Sequence, residues 1–189
     1  SYAAPDQALR QICYARHYLD SCGFKDTRIS INEWLPTPSR EMTGTTRQAA
    51  LIAAELIGLQ NGPVDDAEIY DARCQAPGTY SPLFNAVTLK PFQAYYGFMM
   101  FNELRRLGNQ IVLEGIPDTL YATAAASEDK SECAVMMANI SKEAVPFRIK
   151  AKGYEIREVL AIDKDHTYEA IGLPDAIKEE TVLLIRFSR

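Results

Sequence analysis

The sequence has no long apolar run and no excess of charge of one sign, and it contains few histidines. Its 189 residues include 20 basic and 25 acidic side chains, for a net charge of −5. No stretch approaches the roughly 18 apolar residues that span a bilayer. The basic residues are scattered, whereas nucleic acids and anionic membranes bind clustered Lys and Arg. We therefore expect neither nucleic acid nor membrane as a partner.

Metal, disulfide and triad chemistry also lack support in the sequence. The four cysteines have no CxxC spacing, and only two histidines are present, so we predict no metal site and no disulfide framework. We expect mostly buried free thiols at these positions: Cys13, Cys22, Cys74 and Cys133. Neither His17 nor His166 has a serine or cysteine partner in a known motif, and no glycine-rich phosphate loop is present. No cofactor is expected.

The first half of the chain alternates helical periodicity with short apolar runs. Helices are predicted between Pro5 and Gly23, around Ala49–Ile57 and over Phe92–Leu104, and strands over Arg28–Glu33 and Ala67–Asp71. This alternation is typical of a parallel α/β sheet or barrel.

After Gly108 the period falls to two, which is typical of β-strands. Short segments separated by turn residues predict an antiparallel β-sandwich. The expected strands are Gln110–Glu114, Leu120–Ala126, Cys133–Asn139, Phe147–Lys152, Ile156–Ile162, Thr167–Ile171 and Thr181–Phe187. We therefore expect two domains, residues 1–108 and 109–189.

The most informative motif is Glu33 followed by Trp34, at the end of a predicted buried strand. Parallel α/β folds place their active sites at the C-terminal ends of strands. A carboxylate can attack an anomeric carbon, and a Trp face can stack on a sugar ring. The dipeptide alone equally fits an ordinary turn beside a core tryptophan.

Three further polar residues end the second predicted strand and would face the same opening. Tyr70, Asp71 and Arg73 are suited to binding sugar hydroxyls or to holding the Glu33 carboxylate ionised. A solvated salt bridge explains Asp71 and Arg73 equally well.

The order of these motifs resembles the end of a barrel-type glycoside hydrolase, most of all family 39, the β-xylosidase and α-L-iduronidase type. In that family the seventh barrel strand carries a nucleophilic Glu, and a helix, a strand, a long loop, a last helix and a β-sandwich follow. The similar segments are Ile31–Trp34, Arg47–Leu59, Leu83–Asn85, Leu89–Leu104 and Ala122–Asn139. The resemblance implies the last units of a (β/α)8 barrel followed by a sandwich.

The resemblance also implies a role for Glu33 as the nucleophile of a retaining enzyme that acts on poly- or oligosaccharides. Asn32-Glu33 is similar as well to the acid/base pair on strand four of such barrels, but a single β/α unit before the sandwich favours strand seven. A retaining enzyme needs a second carboxyl group roughly 5–5.5 Å away, and no second motif is found. Alone, the chain is expected to be inactive.

Two other expectations follow from an incomplete barrel of this kind. Ser1–Asp6 has no signal-peptide features, so we expect the sequence to start inside a longer protein, and its compartment stays open. Exposed barrel surfaces predict either homo-oligomers or docking of the helices onto the sandwich. A non-catalytic carbohydrate-binding or scaffold module is the alternative function.

Overall fold

The computed structural model describes residues 5–36, 40–70, 72 and 81–189. Helices and two short strands come first: α1 (Pro5–Ser21), β1 (Ser30–Trp34), α2 (Thr46–Asn61), β2 (Asp66–Ile69) and α3 (Gln93–Leu107). The remaining strands are β3 (Asn109–Ile111), β4 (Leu120–Ala126), β5 (Glu132–Asn139), β6 (Val145–Pro146), β7 (Glu155–Ile162), β8 (Thr167–Ile171), β9 (Ala176–Ile177) and β10 (Thr181–Ser188). The predicted change from helical to strand periodicity near Gly108 is confirmed. None of the described helices is long and apolar enough to cross a bilayer.

Helix α2 is the central element of the fold. Its N-terminus is capped by the Thr45 hydroxyl, which accepts the Gln48 N–H at 3.2 Å, while the Gln48 side chain accepts the Gly44 N–H at 2.8 Å. Residues 48–59 are buried on every side of the helix. A helix that is apolar all round is buried all round, and α2 lies between α1, α3 and the strands β4, β5 and β10.

The large sheet is antiparallel, with the strand order β3-β4-β5-β10-β7-β8. Alternate side chains point to its two faces. Met136, Leu160 and Leu184 face the helices and belong to the same apolar cluster as the core of α2 and α3. The opposite face carries a second cluster that includes Met137 and Ile185. The helices therefore dock onto the sheet and share a core with it.

The strand predicted over Phe147–Lys152 does not form: residues 147–152 belong to no strand, although the Phe147 N–H donates to the Asp175 carbonyl at 3.2 Å. Its alternation is nevertheless real, because Phe147, Ile149 and Ala151 pack against the outer face of the large sheet. Alternation reports which side chains are buried, whereas a ladder also requires a partner strand. The outer face is covered by this extended segment and by the two-stranded ribbon of β6 and β9.

The expectation that the cysteines are mostly buried is wrong for two of them. Cys13 and Cys22 are exposed free thiols, whereas Cys133 on β5 is buried and burial raises the pKa of its thiol. Helix α1 buries only Pro5, Ala8 and Ile12, Cys13 lies on its exposed side, and Cys22 follows its last residue. Cys74 lies outside the described residues.

A buried carboxyl group lies where α2 meets α1 and β4. Glu55 is 2% exposed, and its Oε2 atom has no hydrogen-bond partner among the described residues. Burial raises its pKa from 4.5 to about 7, and the negative charge of Asp6 adds to the shift. Asp6 itself accepts a hydrogen bond from the Tyr121 hydroxyl. The folded chain therefore keeps Glu55 protonated in mildly acidic solution.

Glu55 should make the protein less stable as the pH rises. Its raised pKa means that the folded state binds the extra proton, so its contribution is complete below pH 4.5 and is lost as the pH climbs to about 7. Between pH 5 and pH 8 the free energy of unfolding should fall by about 2.5 kcal/mol from this group. Urea unfolding of Glu55→Gln should lack that fall. The exposed Glu128→Gln serves as control, and an unchanged pH dependence in Glu55→Gln would contradict the prediction.

Candidate functional site

The candidate site lies at the C-terminal ends of β1 and β2, which pair in parallel as the sequence predicts. The paired residues are Ser30 with Asp66, Ile31 with Ala67 and Trp34 with Ile69. The pairing continues one residue further, because the Tyr70 N–H donates to the Trp34 carbonyl at 2.9 Å. The end of one strand is therefore fixed directly beside the end of the other.

A β-bulge interrupts this pairing at Asn32 and Glu33 of β1. Between the pairs Ile31–Ala67 and Trp34–Ile69, β1 has two residues, Asn32 and Glu33, where β2 has one. Ile31, Trp34 and Ile69 all pack into the core below the helices, whereas Asn32 and Glu33 are exposed. A bulge re-aims side chains at the end of a strand, and here it directs Glu33 to the face opposite the core.

The Trp34 ring is not placed for the sugar stacking that the sequence predicts. Its side chain is 2% exposed, and its ring stacks on Phe98 of α3 with the centroids 6.2 Å apart and the planes at 27°. The indole Nε1 has no hydrogen-bond partner among the described residues. The ring is therefore a core residue that anchors the tip of β1 to α3, and it does not form an open platform.

The rest of the predicted site is only partly described. Tyr70 follows β2 directly and is 36% exposed. The other two predicted residues, Asp71 and Arg73, lie outside the described residues. The structure therefore brings Glu33, Trp34 and Tyr70 to one end of the parallel pair, with Glu33 and Tyr70 accessible and Trp34 beneath them.

Sequence reasoning missed Glu68 on β2. This residue is the one that stands opposite Asn32 and Glu33 across the bulge. It is exposed, while its neighbour Ile69 packs against the core, so Glu68 shares the face of Glu33. A signal was available, because parallel strands buried on both faces are continuously apolar and an acid in such a strand is out of place.

Within the described part of the chain, neither the potential metal ligands nor His166 form a second candidate site. No group of three or more His, Cys, Asp or Glu side chains within it converges on a metal position. His166 lies in the turn between β7 and β8, where its Nδ1 is 2.9 Å from Asp163 Oδ1. The same carboxylate oxygen also accepts the backbone N–H groups of Asp165 and His166 at 2.8 Å. This cluster orders a hairpin turn.

A second polar surface lies where the end of α3 meets the large sheet. A cavity of about 220 Å³ there includes Arg186, whose guanidinium is 2.7 Å from Glu158 and 3.2 Å from Glu103. Arg157 beside it is 3.1 Å from Glu132. Because these arginines already have carboxylate partners, the surface is suited to joining α3 to the sheet and not to binding an anion.

Solved structures with the same architecture are available for comparison. A glucosidase from Croceicoccus marinus matches 100% of this chain at 16% identity with a TM-score of 0.72. A glycoside hydrolase family 30 subfamily 8 xylanase from Clostridium acetobutylicum matches 87% of it at 10% identity, with a TM-score of 0.66. A family 44 xyloglucanase from Paenibacillus polymyxa matches 92% at 10% identity, with a TM-score of 0.63. The chain shares its fold with glycoside hydrolases.

The glycoside hydrolase fold is shown by structural similarity and not by sequence similarity. No protein-family model matches the chain, and no curated protein matches its sequence. The chain spans 51%, 43% and 34% of the three solved structures, about half of their length or less. The families named among these three are 30 and 44, so the likeness to family 39 stays a prediction.

Proposed function

We propose that this chain is the nucleophile-bearing part of a retaining glycoside hydrolase that acts on poly- or oligosaccharides. One observation carries the proposal: within a glycoside hydrolase fold, a bulge at the tip of a parallel strand presents Glu33 on the face opposite the core. Active sites of parallel α/β folds lie at this end of the strands. Bulges are also frequent beside active sites.

The proposed reaction is a double displacement. The Glu33 carboxylate attacks the anomeric carbon and forms a glycosyl ester, while the bond from that carbon to the leaving oxygen breaks. The leaving oxygen takes its proton from an acid/base carboxyl group outside this chain. Water then attacks the anomeric carbon of the ester, gives its proton to the same acid/base group, and frees the sugar and the Glu33 carboxylate.

The remaining site residues take supporting roles in this proposal. Tyr70, Asp71 and Arg73 follow β2 in the sequence and would border the sugar, and Trp34 would support the strand from below by its stacking on Phe98. Residues 1–108 would be the last units of a (β/α)8 barrel. Residues 109–189, with the large sheet and the small ribbon, would form the β-sandwich. No metal or cofactor takes part in the proposed reaction.

Self-association of this chain is part of the same proposal. Helix α1 exposes Tyr14 and Tyr18, at 71% and 59%, with their rings stacked 6.4 Å apart, and Phe24 is 60% exposed. An unpaired strand edge exposes backbone N–H and C=O groups, and β1 and β2 pair only with each other among the described strands. In a complete protein, the preceding barrel units or a second copy would cover these groups.

Covalent trapping tests the proposal directly. A 2-deoxy-2-fluoro glycosyl fluoride forms the glycosyl ester but slows its hydrolysis, so the label stays on the nucleophile. Trypsin cleavage after Arg28 and Arg40 releases residues 29–40, which contain Glu33 as their only carboxylate side chain. In the full-length protein the label should appear on this peptide and be absent from Glu33→Gln. Labelling of a different peptide, or none with any glycosyl fluoride, would reject Glu33 as the nucleophile.

The alternative is a carbohydrate-binding or scaffold module without catalysis. It is favoured by the lack of an identifiable second catalytic carboxyl group in the sequence. Binding of this chain to a glycan array, unchanged by Glu33→Gln and without turnover in the full-length protein, would support the module and contradict the enzyme.

A further inference from the structure

The face opposite the core at the tips of β1 and β2 carries a second carboxylate. Glu68 lies on β2 at the position that faces Asn32 and Glu33 across the bulge, and all three side chains are exposed. Neighbouring strands are about 4.8 Å apart, so the Glu68 side chain starts one strand spacing to the side of Glu33. An amide and two carboxylates therefore share one small area.

We infer that Glu68 binds substrate, accepting a hydrogen bond from one hydroxyl group of the sugar whose anomeric carbon Glu33 attacks. The inference rests on the proposed function and adds a specificity-determining residue to the same site. A carboxylate is a strong acceptor for a hydroxyl donor. Glu68 is held beside Glu33 by backbone pairing and not by a flexible loop, because the pairs at Ala67 and Ile69 enclose it on both sides.

An acid at this position of a parallel strand is energetically costly. Strand β2 is too polar for a strand that a complete sheet or barrel would enclose, since a buried carboxylate without partners is strongly disfavoured. A ligand rich in hydroxyl groups offers hydrogen-bond donors to the Glu68 carboxylate. Removal of either carboxylate would weaken the binding of such a ligand, but only Glu33 would be needed for covalent chemistry.

The test separates binding from chemistry in the full-length protein. With 4-nitrophenyl β-D-glucoside and β-D-xyloside as probes, Glu68→Ala should raise KM by about 10- to 100-fold, the effect of a lost hydrogen bond to a charged group. Glu68→Gln, which keeps an acceptor oxygen but no charge, should fall between wild type and Glu68→Ala. The melting temperature should be unchanged, and the trapped Glu33 peptide should still form.

Monodeoxy glycosides identify the hydroxyl group. If Glu68 accepts from one hydroxyl, the substrate that lacks this group should show the same KM with wild type and with Glu68→Ala, while its isomers keep the difference. A matched control is Asp66→Asn, two residues earlier on the same strand and face, where the carboxylate pairs with Arg28 at 2.8 Å. That exposed pair lies further from the strand tip, so its loss should leave KM unchanged.

The possible failures are distinguishable. Trapping at Glu33 together with an unchanged KM in Glu68→Ala overturns the inference alone. An equal rise of KM with every deoxy substrate, or activity that is lost on chelation of divalent cations and restored by Mg²⁺ or Ca²⁺, also overturns it, because Glu68 would then act in another way. Full-length protein that neither turns over glycosides nor traps a glycosyl ester overturns both the inference and the proposed function.

Discussion

Glu33→Gln, which removes the proposed nucleophile, should lower the kcat of the full-length protein on glycosides by roughly four to six orders of magnitude. This is the scale seen when a covalent nucleophile is removed. The amide has nearly the same shape as the carboxylate but cannot form the glycosyl ester. Because Glu33 is exposed on the face opposite the core, the free energy of unfolding should change by less than about 0.5 kcal/mol. Steady-state kinetics with aryl glycosides and a urea titration measure the two quantities.

Azide distinguishes the nucleophile from the acid/base, the other role that Asn32-Glu33 resembles. With Glu33→Ala, azide can enter from the face that the carboxylate vacates, and a nucleophile variant should give a glycosyl azide of inverted configuration. An acid/base variant would give the azide with retained configuration. Wild-type turnover in Glu33→Gln, or a retained product in Glu33→Ala, would contradict the assignment of Glu33 as the nucleophile.

Trp34→Ala should destabilise the fold more than any change at the exposed site residues. The side chain is 2% exposed and stacks on Phe98, and truncation of a buried Trp costs about 3–5 kcal/mol through lost burial and the cavity left behind. Chemical denaturation of this chain measures the loss. The change should also loosen the tip of β1 and so lower the yield of trapping at Glu33 in the full-length protein.

Trp34→Phe is the matched control for this prediction. It keeps an aromatic ring against Phe98 and removes the indole N–H, which has no hydrogen-bond partner among the described residues. Its cost should therefore be well below that of Trp34→Ala, about 1–2 kcal/mol. If Trp34→Ala unfolded at the same urea concentration as wild type, the ring would not anchor the strand.

The sequence predicts the elements of this fold better than the details of the site. Helical and strand periods depend on local patterning, so α2 and α3 and the full lengths of β4 and β8 are predicted closely. Strict alternation through β1, however, would put Ile31 and Glu33 on one face. Because of the bulge, Trp34 and not Glu33 faces the core together with Ile31. A bulge is defined by the register of two strands far apart in sequence, which a pattern within one strand does not contain.

Glu68 was missed for a related reason. In the sequence it lies inside the predicted strand Ala67–Asp71, where an acid is out of place, but no motif assigns it a role. That it lies beside Glu33 follows only from the register of the two strands. Similarly, the sequence could not predict that Phe147–Lys152 forms no strand. Its buried and exposed side chains alternate as in a strand, and only the structure shows that the segment is not part of one.

The shared core of α2, α3 and the large sheet has a consequence for how this protein can be divided. Gly108 separates two kinds of chain pattern, yet Met136 and Leu184 on one side of it pack in the same cluster as Ile52 and Met100 on the other. Expression of residues 109–189 alone would expose this whole apolar layer to water, and the product should aggregate. The strand tips that present Glu33 should also move with the distant sheet as one rigid unit. A substrate would therefore bind to a preformed surface and would not require the closure of a hinged segment.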